Sequence, residues 1–151
     1  MLDAGAEKVL DFSDYGCPST YRVSMRKLLR LVRTIHSHML AEAPEYVVYE
    51  IADGIFQRET ALLLASEEFK KYVDYVMFAG VDSMSAESGK RVLEQRGYRL
   101  LGFSGVISAS QLGRKEVQAA TGMPCLSSSE LSSGGIVTLL QQAKDRVRKG
   151  G

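Results

Sequence analysis

Two stretches of the chain, YVVYEIA at residues 46–52 and YVMFAG at 75–80, are apolar almost throughout, with little polar–apolar alternation. Strands covered on both faces read this way, and parallel sheets are covered on both faces by the helices that link their strands. Three further runs have strand character: EKVLDF at 7–12, RLLGFS at 99–104 and the short PCL at 124–126. Helical patterns separate the runs, at about 19–41, 58–72, 86–96, 111–121 and 136–149. In the first helix Leu28, Val32, Ile35 and Met39 recur on one face, Pro18-Ser19-Thr20 supplies a start and Pro44 a stop. Gly97 and Gly122 stand where helices end, and Ser127 and Glu130 have capping-box spacing. Alternation of strand and helix predicts an α/β fold, a three-layer sandwich around a mostly parallel sheet of about five strands, in a single domain.

A chain of 151 residues, 45% hydrophobic and 25% charged, can bury a core without a metal or disulfides to hold it. A net charge of +1 argues against nucleic acid or anionic lipid as a partner of the whole surface. Cys17 and Cys125 lie far apart, and neither belongs to a C-x-x-C pair. They read as reduced thiols, which makes the cytoplasm the default compartment. No apolar run approaches the roughly 20 residues of a membrane span.

In an open parallel sheet, ligands bind outside the carboxyl ends of the strands. Four of the five runs end in polar or glycine-rich sequence there: Asp11 and Asp14 after the first, Glu50, Asp53 and Gly54 after the second, Asp82 after the third, Ser104 and Ser108 after the fourth. Carboxylates at such an edge can hold Mg²⁺ through water while the cation bridges phosphates. Asp and Ser after a strand are equally the preferred N-caps of the next helix, so Asp53 and Asp82 have a purely structural alternative. Glu50 lies inside its run, where a charge is costly unless paired or facing a polar crevice. Arg58 and Thr60 fall at a helix start, where backbone N–H groups favour an anionic substrate.

No G-x-x-x-x-G-K-[ST] or G-x-G-x-x-G pattern is present. In AESGKRV, Met84 stands where the first glycine should be and Arg91 where Ser or Thr should be, so Lys90 reads as a solvated helix residue. Arg22, Arg26, Arg30 and Arg33 share a face of the first helix, with Lys27 beside them. That face is either a solvated surface or a docking surface for an acidic partner. His36 and His38 point about 200° apart on a helix and form no metal pair.

The strand end YEIADG resembles the Glu-Gly-Ala-Gly-Gly strand end of the dethiobiotin synthetase-like P-loop proteins, a group that includes the cobyrinic acid amidotransferase synthases. The segment VDYVMFAGVDSMSAESGKRVLEQRGYRLLGFSGVIS is similar to their strand, glycine turn, helix and second strand headed by G-x-x-G. The resemblance spans residues 47–126 and implies a Rossmann-like, P-loop NTPase-like sheet that binds ATP and Mg²⁺. By it, Glu50 helps to bind Mg²⁺ and substrate near the triphosphate. The clustering at the carboxyl edge adds the rest of the expected site: Asp53 beside Glu50 as catalytic carboxylates, Asp11, Asp14, Gly54 and Asp82 at the cofactor, and Arg58, Thr60, Ser104 and Ser108 at the substrate. Asp53 replaces a glycine of the family motif, and Ser104 lies near the place of a base-reading asparagine.

The resemblance also implies a phosphate loop and its strand upstream of MLDAGAEKVLDF, with residues 1–6 as the tail of the helix that follows the loop. The chain is then a piece of a longer NTPase, or a relative that has lost the loop and is inactive alone. Without the central strand, unpaired edges are expected to rearrange the strand order or recruit a second copy as a homodimer. The two functions in view are a nucleotide- or anionic-metabolite-binding part of an ATP-dependent ligase-like or kinase-like enzyme, and a non-catalytic ligand-binding or protein-interaction module with a basic helix surface.

Overall fold

The computed structural model describes Leu2 and residues 5–149, with the side chains of Val147 and Lys149 excepted. Residues 1, 3 and 4, half of the expected helix tail, lie outside the described residues. The chain divides into two compact units, Met1–Tyr72 and Val73–Gly151. It is 54% helical and has one sheet of two parallel strands, so the five-strand, three-layer sandwich is incorrect.

Unit 1 contains α1 (Met25–Leu40), α2 (Arg58–Leu64) and α3 (Glu67–Lys70). Helix α1 starts later than its sequence pattern suggests. The Ser19 hydroxyl accepts the Tyr21 N–H at 3.1 Å, and Arg22 adopts a left-handed φ of 57°. Ser24 is the residue that caps α1. The expected helix over 58–72 is broken in two because the Ser66 side chain accepts the Phe69 N–H and starts α3 afresh. Cys17, Leu28, Leu31, Leu63 and Phe69 are among its buried apolar residues.

Neither expected strand of this unit forms. Residues 7–11 run into a 3-10 turn, Phe12–Tyr15, in which Asp11 and Asp14 make a capping box. Residues 46–52 are irregular and covered on one side only. Tyr49 packs edge-on against Phe69 of α3, while Val48 is 83% exposed. An apolar run predicts a doubly covered strand only if sheet neighbours exist, and unit 1 has none among its described residues.

Unit 2 holds β1 (Val76–Ala79), α4 (Ser83–Gln95), β2 (Leu100–Ser104), α5 (Gln111–Thr121), α6 (Ser128–Ser132) and α7 (Gly135–Lys149). Strands β1 and β2 pair in parallel, Phe78 opposite Phe103. On the other side of β2 a single parallel bridge joins Phe103 to Cys125. The Phe103 N–H donates to the Pro124 carbonyl and the Leu126 N–H to the Phe103 carbonyl, both at 2.8 Å. Ala86, Phe103 and Val117 are fully buried, with Phe78, Ile107, Met123 and Cys125 packed around them. The Phe78 ring stands edge-on to Phe103. Asp82 caps α4 through a box with Ser85, Ser110 caps α5, and Gly122 ends α5 at a φ of 70°.

At the carboxyl edge the two strand-end turns interlock. Gly80 donates its N–H to the Ser104 carbonyl at 2.9 Å and accepts from the Ile107 N–H at 3.2 Å. Gly105 has a φ of 96°, and a Cβ there would lie 2.6 Å from the Gly80 carbonyl oxygen, so only glycine fits.

Gly102 is a sensitive probe of the sheet, since a Cβ there would meet the Pro124 carbonyl oxygen at 2.5 Å, across the bridge to Cys125. Gly102→Ala should destabilise unit 2 by about 1–3 kcal/mol. Chemical denaturation followed by circular dichroism checks this; an unchanged midpoint would mean that the bridge is not held tightly.

Candidate anion-binding site

The best-defined polar cluster lies in unit 1, around a residue that none of the sequence patterns singles out. Glu59, in the first turn of α2, is 4% exposed. Its Oε1 accepts the Arg22 backbone N–H at 2.8 Å and the Arg58 Nη1 at 2.9 Å, and its Oε2 accepts the Gln57 Nε2 at 2.7 Å. Burial acts to raise the Glu59 pKa. The backbone N–H groups of Glu59 itself and of Arg22, with the Arg58 and Gln57 side chains, outweigh that effect and hold the carboxyl below its ordinary range. Gln57 has a second role, because its Oε1 accepts the Thr60 N–H at 3.1 Å and so caps α2.

Tyr21, Arg22, Gln57, Arg58 and Glu59 line an open hollow of about 660 Å³. The Arg22 guanidinium carbon sits 5.4 Å from the centroid of the Tyr21 ring, and Tyr21 is 66% exposed. Arg58 gives one nitrogen to Glu59 and keeps its side chain 67% exposed. With its acceptors occupied, Glu59 serves here as a fixed anchor. The groups left to meet a ligand are two guanidinium ions beside an aromatic ring.

The residues expected from sequence divide between the units. Glu50, Asp53 and Gly54 are exposed and outside regular structure, and neither carboxylate makes a hydrogen bond or ion pair among the described residues. In the turn capped by Asp11 and Asp14, the Asp11 Oδ1 accepts the Ser13 N–H and the Asp14 Oδ2 accepts the Asp11 N–H, both at 2.8 Å. Thr60 is buried beside Glu59, and of the expected set only Arg58 reaches the hollow.

In unit 2, Asp82 is held below the ordinary carboxylate range by the Ser85 backbone N–H it caps, and then by the Ser85 hydroxyl. The Ser104 hydroxyl donates to the Leu126 carbonyl at 2.8 Å, and the Ser108 hydroxyl, 1% exposed, to the Gly105 carbonyl at 2.7 Å. Both serines therefore hold the fold. Among the described residues no three of His, Cys, Asp and Glu gather closely enough to hold a metal ion.

Other polar groups of the sequence have partners. Lys90 is not simply solvated, since its Nζ donates to the Thr121 carbonyl at 2.9 Å, at the end of α5. Arg33 pairs through Nε and Nη2 with Glu68, and Arg22 lies ahead of α1, so the basic face of that helix reduces to Arg26, Lys27 and Arg30. Each histidine joins a tyrosine hydroxyl through Nδ1, His36 with Tyr49 and His38 with Tyr15. Burial first, and the neighbouring Tyr72 second, push the Tyr49 hydroxyl up to about 12. Cys17 and Cys125 are both free thiols. Among the described residues no helix is long and apolar enough to cross a membrane. Comparison of the chain with protein-family models, with curated proteins and with solved structures returned no match.

A carboxyl whose folded pKa is depressed stabilises the fold fully above its unfolded value, and that contribution is lost as pH falls through the folded pKa. Unit 1 should therefore weaken below about pH 4.3, the ordinary glutamate value. Glu59→Gln should flatten the stability profile in that window and speed hydrogen exchange at the Arg22 amide. Urea midpoints collected from about pH 7 to about pH 3 for both proteins test the sign; superimposable profiles would show that Glu59 is not the linked group.

Proposed function

We propose that the chain is a binding module for a small oxyanion-bearing ligand, a nucleotide or an anionic metabolite, held in the hollow of unit 1. The observation that carries this is the anchoring of the Arg22 backbone and the Arg58 guanidinium to one buried carboxylate, Glu59, with the Arg22 guanidinium beside the exposed ring of Tyr21. A guanidinium ion offers five N–H donors in a planar fork that matches a carboxylate or phosphate. Pre-fixing the fork lowers the ordering cost of binding. A nucleotide suits the site doubly, because its base can lie on an aromatic face while its phosphates meet the guanidinium ions.

The ATP- and Mg²⁺-dependent enzyme implied by the family resemblance is a more specific form of the same function. It assigns the metal to Glu50, which is exposed and open to a cation. The cytoplasm is the compartment we assign to it, on the two isolated thiols. A second function, docking of an acidic protein on α1, is favoured by Arg26, Lys27 and Arg30, which are exposed and make no ion pair among the described residues.

Calorimetric titration with ATP and with pyrophosphate, each with and without Mg²⁺, distinguishes these alternatives. A charge-assisted hydrogen bond is worth about 1.5–3 kcal/mol, so Arg58→Gln should weaken binding about tenfold or more. If Mg²⁺ tightens ATP binding and Glu50→Gln abolishes that gain, the metal assignment stands. Absence of binding by either anion, or affinity unchanged in Arg58→Gln, would remove the site.

A further inference from the structure

Unit 2 has a hollow of its own, of about 470 Å³, at the amino ends of β1 and β2, opposite the interlocked glycine turns. That volume is within the range of small-molecule sites. Its floor is apolar: Leu100 and Leu101 from the start of β2, with Met123 and Pro124 from the segment that pairs beside it. One face of α7 walls it, since Leu139, Gln142, Ala143 and Arg146 follow the i, i+3, i+4, i+7 spacing that brings side chains to one side of a helix.

The charges around this hollow have one sign. Arg99 and Arg146 both line it and no Asp or Glu does. Neither arginine forms an ion pair among the described residues. The Arg99 guanidinium carbon lies 5.0 Å from the centroid of the Tyr75 ring, which orients its fork without neutralising it. An apolar floor beside two guanidinium ions is complementary to an apolar body with an anionic head. A purely apolar ligand would leave the arginines unused, and a highly charged one would place its charge against Leu100 and Met123.

The geometry points to a second binding site in unit 2, for a small amphipathic carboxylate whose apolar body lies on Leu100, Met123 and Pro124 and whose carboxylate is held by Arg99 and Arg146. The Gln142 amide supplies a further donor at the rim. The site shares no residue with the hollow of unit 1, so either can fail without the other.

Octanoate is the probe, titrated into the full chain by calorimetry and followed by backbone amide shifts in NMR. We expect saturable binding with shifts on α7 and at Leu100–Leu101. Hexanoate, two methylenes shorter, should bind about tenfold more weakly. Arg99→Gln and Arg146→Gln, both at exposed positions, should each weaken octanoate about tenfold, as should replacing the head with the neutral octanamide. Ala143→Trp, which fills the hollow, should abolish binding while circular dichroism remains that of the folded chain. The site is overturned if octanoate does not saturate the folded protein, if its shifts fall on Tyr21 and Arg22 instead of α7, or if both arginine variants bind as tightly as the parent. Octyl phosphate binding more than tenfold tighter than octanoate would overturn the carboxylate assignment.

Discussion

A carboxylate shut away from water has to be met by donors, and the local structure around Glu59 follows from that requirement. One donor is a backbone N–H, that of Arg22, 37 residues upstream. A backbone donor can be aimed only by setting the chain around it, and Arg22 sits at a left-handed φ of 57°. That conformation costs about 1–2 kcal/mol for a residue with a Cβ. The cost is borne because an unmet buried charge is worse. It also explains why α1 begins at Met25 although helical periodicity reaches back toward Ser19. The same contact ties the segment before α1 to the first turn of α2 and leaves the arginine side chains facing outward.

In unit 2 the corresponding constraint is backbone pairing on both sides of β2. Phe103 stands opposite Phe78 of β1 on one flank and spends its N–H and carbonyl on Pro124 and Leu126 on the other, and its ring is fully buried. With three chain segments parallel, their carboxyl ends crowd together. Gly80, Ser104, Gly105 and Ser108 spend polar groups on one another and on Ile107, Arg114 and Leu126. The edge at which open α/β sheets commonly bind ligands is closed here by its own hydrogen bonds. The amino edge is less crowded, because α7 approaches it with a face that carries an arginine and a glutamine among its apolar residues.

Much of unit 2 was legible in the chain. The runs at 75–80, 99–104 and 124–126 overlap β1, β2 and the bridge at Cys125, and the helix at 111–121 coincides with α5. Local signals are strong there: capping residues before α4, α5 and α6, glycine at 97 and 122, and apolar runs that do find partners. Unit 1 was misread because an apolar run declares only that it will be covered. At 46–52 the cover is α1 through His36 and α3 through Phe69, both against Tyr49, on one side. The candidate site was legible only at Arg58. Nothing in QRET announces that Glu59 turns inward, since its burial depends on a donor 37 residues away. The available hint was a charge between Arg58 and an apolar LLL run, at a helical position that the core would cover.

Asp, Ser and Glu after an apolar run serve equally as ligands and as caps, and in this chain the caps are the pairs behind whose first member a helix starts. Asp11 with Asp14, Asp82 with Ser85 and Ser127 with Glu130 are each three residues apart, and each pair is a reciprocal capping box. Glu50 and Asp53 share the spacing, but no helix starts at Ile51. Helix α2 begins at Arg58 and takes Gln57 as its cap, so the pair has no backbone N–H groups to satisfy. Discounting every residue that belongs to such a box removes Asp11, Asp14 and Asp82 from the charged residues of the expected site and keeps Glu50, Asp53 and Arg58. Those three are exposed, and of their charges only that of Arg58 is paired within the described residues, to a carboxylate already held by other donors. Charges that the fold does not consume are the ones free to meet a ligand, and in unit 1 they include Glu50 and Asp53, in the stretch that leads into the buried carboxylate, as well as Arg26, Lys27 and Arg30 on α1.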